Sequence, residues 1–511
     1  MNNEVPQPWQ LPGSWKWDYI GNACEVVGGG TPSTADVTNF DCGEIPWITP
    51  ADLSGYRERF ISRGERNITV AGLESSAARL LPPGSVLFSS RAPIGYVAIA
   101  ANAVSTNQGF KSFIPPPGIL SEYLYYYLQR VKLLALQLAS GTTFKEISAK
   151  RAAVIPLAVA PKEEQQRIVS KIEELFSDLD AGVGALQRAR ANLKRYRAAV
   201  LKAAVEGKLT EQWRKEHPNI EPASKLLERI LIERRRKWEE AQLVKYAAAG
   251  RAPPRGWKGE YPEPEEPDTA NLPELPVGWS WASLSQLGFL ERGRSKHRPR
   301  NAPFLFGGPY PFIQTGEVGE ADTFIGTHAQ AYSEAGLAQS RLWPSGTLCI
   351  TIAANIAETG ILTFDACFPD SVVGFLPASD AVSVRYVEFY LRTMQSKLES
   401  IAPATAQKNI NLDTLQQIAV RLPPMHEQQN LVEELDQRLS LATQTVAQLE
   451  RNFLRASQLR QAILKRAFEG KLVPQDPNDE PASVLLERIR TDRASSAKAA
   501  GRRRRAIRPA V

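Results

Sequence analysis

Apolar residues return every three or four positions along two long stretches of this chain. In the first they fall at Ile168, Ile172, Phe176, Leu179, Val183, Leu186, Leu193, Tyr196, Val200 and Ala204. In the second they fall at Leu431, Leu435, Leu439, Ala442, Val446, Leu449, Ala456, Leu459, Ile463 and Ala467. Such steps draw one stripe along one face of a helix. The two stretches are copies: Pro161 to Leu209 aligns with Pro424 to Leu472 at a constant offset of 263 positions, without a gap, and 18 of the 49 pairs are identical. Matched stripes predict two long helices that pack on each other, with Ile168, Ile172, Leu179, Leu186 and Leu193 of the first and Leu431, Leu435, Leu449 and Ile463 of the second at the seam. Each copy opens at a proline, whose missing N–H costs nothing in a first helical turn, followed by Glu164 or Glu427 near the positive end of the helix dipole. Each closes at Glu-Gly-Lys-Leu, where Gly207 and Gly470 are natural terminators. About 44 residues at 1.5 Å each make a rod of roughly 65 Å, and Gly182 with Gly184 predicts a local bend in the first copy.

Elsewhere the pattern changes. Residues 10–160 and 275–423 carry short apolar runs bounded by Gly and Pro, such as Ser85-Val-Leu-Phe-Ser, Gly95-Tyr-Val-Ala-Ile-Ala and Thr347-Leu-Cys-Ile-Thr-Ile, which read as strands. Each then has an aromatic-rich helix, 121–139 with Tyr123, Tyr126 and Tyr127, and 384–401 with Tyr386, Phe389 and Tyr390, whose rings are expected in the core. The repeat extends into these regions: Leu11-Pro12 and Trp15-x-Trp17 recur as Leu275-Pro276 and Trp279-x-Trp281, and Glu221-Pro-Ala-Ser recurs as Glu480-Pro-Ala-Ser. The predicted fold is α+β, with a small mixed domain at 10–160, a repeated helix at 161–209, a basic helix and proline-rich connector at 210–274, a second mixed domain at 275–423, a second repeated helix at 424–472 and a C-terminal helix with a basic tail at 473–511. The seven prolines of 253–276 predict an extended connector. A chain written twice, head to tail, can carry pseudo-twofold symmetry within a monomer.

The net charge of +7 and a sequence pI of about 9.1 suit a polyanionic partner without proving one. Cys24, Cys42, Cys349 and Cys367 are widely spaced and the histidines scattered, so no metal set or disulfide framework emerges and the cysteines are expected to be buried thiols. The opening residues lack a basic region followed by an apolar one, and no apolar run reaches 18 residues, so a cytoplasmic protein without membrane contact is expected.

Constant helices beneath unlike domains suit a reader of two different half-sites. Ser140-Gly-Thr-Thr-Phe-Lys and Pro403-Ala-Thr-Ala-Gln-Lys align at the same offset of 263. Thr142, Thr143, Lys145, Thr405, Gln407 and Lys408 are therefore candidate DNA contacts: small residues permit close approach, lysine neutralises phosphate or donates to guanine, and glutamine can read adenine bidentately. A second candidate is the basic loop bearing Arg292, Arg294, Lys296 and Arg298, which corresponds to Gly28-Gly-Gly in the first half. A positive loop attracts phosphates, and a glycine-rich one lets backbone approach them. No Lys-Ser or Lys-Thr closes the glycines into a P-loop, no G-x-G-x-x-G follows a strand, and none of the Pro-Pro pairs stands in an Asp/Asn-Pro-Pro-aromatic setting. No catalytic or metal residue is assigned.

Two diverged domains, each followed by a segment opening Pro-x-x-Glu-Gln-Gln (161–166, 424–429) and closing Glu-Gly-Lys-Leu (206–209, 469–472), resemble the DNA-specificity subunit of type I restriction–modification systems over about residues 9 to 490. The resemblance implies that the mixed domains are target-recognition domains, each reading one part of a split, asymmetric site in double-stranded DNA. It implies that the helices form an antiparallel coiled coil that sets the gap and docks two DNA-adenine methyltransferase subunits, with restriction/translocase subunits completing the complex. S-adenosylmethionine and ATP then belong to the partner subunits, and no cofactor to this chain. The alternatives are a stand-alone DNA-binding regulator and a coiled-coil scaffold.

Overall fold

The computed structural model describes residues 5–91, 93–141, 145–353, 356–401 and 409–506, with the backbone alone at 401 and 496–506. The chain divides into two compact units, Met1–Gln187 with Glu450–Val511, and Arg188–Leu449. Six helices of ten or more residues occur among the described residues: α1 (Ser121–Arg130), α2 (Lys162–Val205), α3 (Ala223–Ala248), α4 (Val384–Ile401), α5 (Met425–Phe468) and α6 (Ala482–Ala506). The copies α2 and α5 are each 44 residues long, and α2 stays helical through Gly182 and Gly184. The aromatic helix of the first domain is shorter than the 121–139 span read from the sequence: α1 stops at Arg130, and a separate Lys132–Gln137 turn of helix follows.

The first unit contains strands β1 (Lys16–Tyr19), β2 (Glu25–Gly28), β3 (Phe60–Ile61), β4 (Val86–Phe88), β5 (Val97–Ala100), β6 (Lys111–Ile114) and β7 (Pro156–Val159). Five form a sheet in the order β2-β6-β4-β5-β3, with β3 parallel to β5 and the other pairs antiparallel. The second unit contains β8 (Ser280–Ser283), β9 (Gly288–Arg292), β10 (Phe324–Ile325), β11 (Leu348–Thr351), β12 (Thr359–Leu362), β13 (Val372–Pro377) and β14 (Ala419–Leu422). Its sheet runs β9-β13-β11-β12-β10, again with only the last pair parallel. In each domain the entering strand closes on the strand that feeds the long helix, β1 on β7 and β8 on β14. The domains differ outside this frame: the first adds a three-stranded sheet from 45–48, 66–68 and 105–106, and the second a two-stranded antiparallel sheet from 306–312 and 330–332.

Helical spacing of the tyrosines explains how the frame is stapled. Tyr123 and Tyr127 are fully buried and donate to the carbonyls of Ala158 (2.8 Å) and Pro156 on β7. Tyr386 and Tyr390 donate to Arg421 and to Ala419 (2.8 Å) on β14, the same positions one repeat later. A buried phenol needs such a partner, and burial pushes the hydroxyls of Tyr123 and Tyr386 well above the usual tyrosine range, so they remain donors.

Each unit holds the head of one long helix beside the tail of the other. In the first, Ile168, Ile172 and Phe176 share a core with Leu464, Ala467 and Phe468, and Asp180 pairs with Arg460. In the second, Leu431 and Leu435 share a core with Val200 and Ala204, and Arg197 donates to Thr443. Rising numbers on one helix meet falling numbers on the other, which is antiparallel packing. Phe468 ends α5 between the rings of Tyr123 (5.2 Å) and Tyr127 (5.1 Å), edge to face. Two stripe positions, Tyr196 and Leu459, are exposed, whereas Leu464 and Phe468, outside the stripe, are buried. Near its tail the buried face of α5 turns toward the first domain.

The connector is less extended than its prolines predict. Trp257 opens a short 3-10 turn and stacks on Trp238 of α3 at 5.9 Å, while the Tyr261 hydroxyl accepts from the buried Arg234. Of the four cysteines three are buried, but Cys42 is exposed, against expectation. Among the described residues no helix is long and apolar enough to cross a membrane.

Candidate nucleic-acid interface

The repeated Pro-x-x-Glu-Gln heads of α2 and α5 fasten each domain to its helix. Glu164, 1% exposed, accepts the indole N–H of Trp15 at 2.9 Å; Glu427, fully buried, accepts that of Trp279 at 2.9 Å. The adjacent Gln165 is consumed by backbone: its oxygen accepts from Leu120 N (3.0 Å), and its nitrogen donates to the carbonyls of Gly118 (3.1 Å) and Ala160 (3.0 Å). Gln428 repeats this with Ser383 N (3.0 Å), Ala381 O and Pro423 O. The carboxylates differ in their second partner. Glu164 meets the Gln475 amide, whereas Glu427 meets Thr210 and the guanidinium of Arg214. Burial, only partly offset by its donors, pushes the Glu164 carboxyl above the usual glutamate range. From the sequence alone Glu164 and Glu427 had a dipole role and the glutamines no role beyond the repeated motif; their recurrence beside the recurring tryptophans was the available signal.

Between two and three turns further along each helix a carboxylate pairs with an arginine of the domain. Glu173 pairs with Arg59, just before β3, and Asp436, its repeat equivalent, pairs with Arg385 of α4. The helix position is constant while the domain supplies its cation from a different element.

Gly29 and Gly30 of the first domain are needed for packing. A Cβ at Gly29 would lie 1.9 Å from the Asn107 carbonyl, and one at Gly30 would lie 2.1 Å from Ala78 N. At these two positions the close approach is to the chain's own backbone, whereas a Cβ at Gly28 would meet nothing within 4 Å. Arg292, which ends β9, and Arg294 and Lys296 of the loop that follows are exposed and have no ion pair among the described residues. Arg298 turns onto its own loop, donating to Ser295 O (2.7 Å) and His297 O (2.9 Å), and the next cation, Arg300, is neutralised by Asp370 at 2.8 Å. Much of the charge on α3 is likewise internal: Arg229, Arg235 and Arg236 pair with Glu221, Glu239 and Glu240.

Thr142, Thr143, Thr405, Gln407 and Lys408 lie outside the described residues. Lys145 is exposed, and its loop is closed by two bonds between Ser140 and Glu146 (3.0 and 2.9 Å) and held to the Ser90 turn by Ile147 N donating to Ser90 O at 3.0 Å. In the second domain Ile410 N donates to Ile352 O at 3.0 Å, so both loops return to the same place on their frames. Along the helices Ile168, Ile172, Leu431, Leu435 and Leu449 are buried, and Leu179, Leu186, Leu193 and Ile463 are half-buried.

Two unlike domains, seated by the same fittings on the heads of two copied, antiparallel helices, define a duplicated protein on one frame. The chain belongs to the family of the type I restriction modification DNA specificity domain, which matches residues 12–184 and 276–451. It is 43% identical over 173 residues to the type I restriction enzyme MjaIX specificity subunit of Methanocaldococcus jannaschii, covering 33% of this chain and 39% of that protein. It is 26% identical over 369 residues to the EcoAI specificity subunit of Escherichia coli, covering 60% of this chain and 56% of that protein. The matched part is thus less than two thirds of either relative. A chain from a type I restriction–modification system, solved for its complex assembly and conformational transition, has a like fold at a TM-score of 0.61 and 18% identity, covering 91% of this chain and all of that one.

Proposed function

We propose that this chain is the DNA-recognition subunit of a type I restriction–modification complex, in which each mixed domain reads one part of a split, asymmetric site and the paired helices carry two DNA-adenine methyltransferase subunits. The observation that carries the reading is the contrast between constant and variable parts. Sheet order, tyrosine staples and Glu-Gln heads repeat, while the loops, the added strands and the free cations at the tips do not. A duplicated frame with unlike tips suits an asymmetric ligand with two sites in a fixed relation. The exposed Lys145, Arg292, Arg294 and Lys296 supply phosphate contacts, which orient a protein on the duplex without reading it. Methyl transfer and any cleavage belong to partner subunits, which bring S-adenosylmethionine and ATP.

The purified chain mixed with duplex DNA and labelled S-adenosylmethionine is expected to transfer nothing, and addition of the methyltransferase subunit to give adenine methylation at one bipartite motif. Long-read methylome mapping of the host with and without the gene identifies that motif. Methyl transfer by the chain alone, or an unchanged methylome, refutes the proposal.

A further inference from the structure

We infer that Gln108 is a base-reading residue of the first domain and that the buried ammonium of Lys111 positions it; the inference rests on the proposed role of this domain in DNA recognition. Lys111, on β6, is only 9% exposed, yet its Nζ is not used by any hydrophobic core. It lies 3.1 Å from the carbonyl of Gln108, 3.3 Å from Ser90 Oγ and 3.5 Å from Glu146 Oε1. Three loops therefore meet at one cation: the Ser90 turn, the 107–110 turn and the loop that carries Lys145.

The 107–110 turn is fixed on every side. Asn107 N donates to Ile48 O (3.0 Å), Asn107 Oδ1 accepts from Gly109 N (2.9 Å), and Gly109 O accepts both Ser90 N (2.7 Å) and Ser90 Oγ (3.0 Å). A Cβ at Gly109 would lie 2.8 Å from the Pro50 ring. At the tip of this rigid turn Gln108 is exposed, and its amide has no partner among the described residues. An amide held on backbone tied to the Ser90 turn and, through Lys111, to the loop of Glu146 is prepared for bidentate bonding to a base edge, because little freedom remains to be lost on binding.

The second domain supplies an internal comparison. Asp370, paired with Arg300, stands at the equivalent tip, and the carbonyl of the next residue, Ser371, accepts from Ile352 N at 3.0 Å as that of Gly109 accepts from Ser90 N, so the turn is tied in the same way. Val373, fully buried, replaces Lys111: it pairs with Arg292 on the neighbouring strand as Lys111 pairs with Gly28. The frame thus closes without an ammonium. What the lysine adds is specific to the domain that presents glutamine.

The test uses the full chain with its methyltransferase subunits and duplexes carrying single base-pair changes across the methylated motif. Gln108→Ala is expected to lower affinity for the native site about tenfold and to abolish discrimination at one base pair of one half-site, with the salt slope unchanged. Lys111→Met is expected to relax the same base pair and to add less than twofold in the Q108A background, because both changes remove one interaction. Glu146→Gln, which keeps the lysine, is expected to relax it by a few fold and covers the case of a misfolded K111M protein. Additive losses, loss spread over both half-sites, or a slope reduced by about one overturn the inference and leave the recognition role standing. Absence of any specific binding by the unaltered complex refutes both.

Discussion

The indole of Trp15 and the carboxylate of Glu164 lie 2.9 Å apart in a site closed to water, joining the entering strand of the first domain to the head of its helix. Replacing Trp15 by Phe leaves a buried carboxylate oxygen without its donor. A loss of about 1–3 kcal/mol is expected, read as a fall in denaturant midpoint. Trp279→Phe is expected to cost less, because Arg214 and Thr210 still hold Glu427. Equal losses at the two sites contradict this account.

Gly470 ends α5 at φ +67°, and a Cβ there would lie 2.2 Å from the Pro12 ring; Gly207 ends α2 at φ +68°, with Pro276 at 2.7 Å. Both conformations disfavour a side chain, and neither proline ring can bend away. Gly470→Ala and Gly207→Ala are each expected to lower stability by at least about 1 kcal/mol, with the larger effect at Gly470. Thermal unfolding of the two variants checks the order.

Glu388 is buried in α4 between Arg385 and Arg392 and near Thr359; burial raises its carboxyl to about 7, the arginines opposing. Because the folded state holds this proton more tightly than the unfolded chain, the contribution to stability is greatest below about pH 4.5. It falls as pH rises toward 7, by up to about 3 kcal/mol, and is level above that. Glu388→Gln is expected to remove this slope, so the difference in denaturant midpoint between wild type and variant should change across pH 4.5–7 and nowhere else.

The exposed cations should differ from the paired ones in salt response. Lys145→Ala and Lys296→Ala are each expected to reduce the slope of log affinity against log salt by about one. Arg300→Ala is the control, since Asp370 already neutralises Arg300. Native slopes in both lysine variants return those residues to the solvated surface.

If α2 and α5 set the spacing of the site, lengthening them must move it. Four residues inserted in helical register after Leu186 add about 6 Å and roughly 40° of excess rotation, against about 3.4 Å and 34–36° for a base pair. The unspecified gap in the methylated motif is expected to grow by one or two pairs. A motif with its original gap removes the spacing role.

Most of the frame was legible because duplication repeats its constraints: spacing predicted both 44-residue helices, and helically spaced tyrosines predicted buried rings. What escaped were facts that depend on distant partners. Nothing local distinguishes Gln165, bonded to three backbone groups, from a solvated helix-head glutamine. In the Gly28-Gly-Gly stretch sequence shows the room a glycine makes and not what fills it, which at Gly29 and Gly30 is the chain's own backbone. Counting cations overstated the charge of α3, whose arginines find acids one turn away, just before the helix or on the connector. Lys111 passed unnoticed because a lysine in a short strand ordinarily points to water.

The fittings at Glu164 and Glu427 divide between the two sides of each joint: tryptophan and tyrosines travel with a domain, the Glu-Gln pair with a helix. A foreign domain of this kind arriving by recombination would bring its own half of the fastening and find the other half waiting. Novelty in recognition can then be inherited as an intact block, and the joint itself need not evolve again.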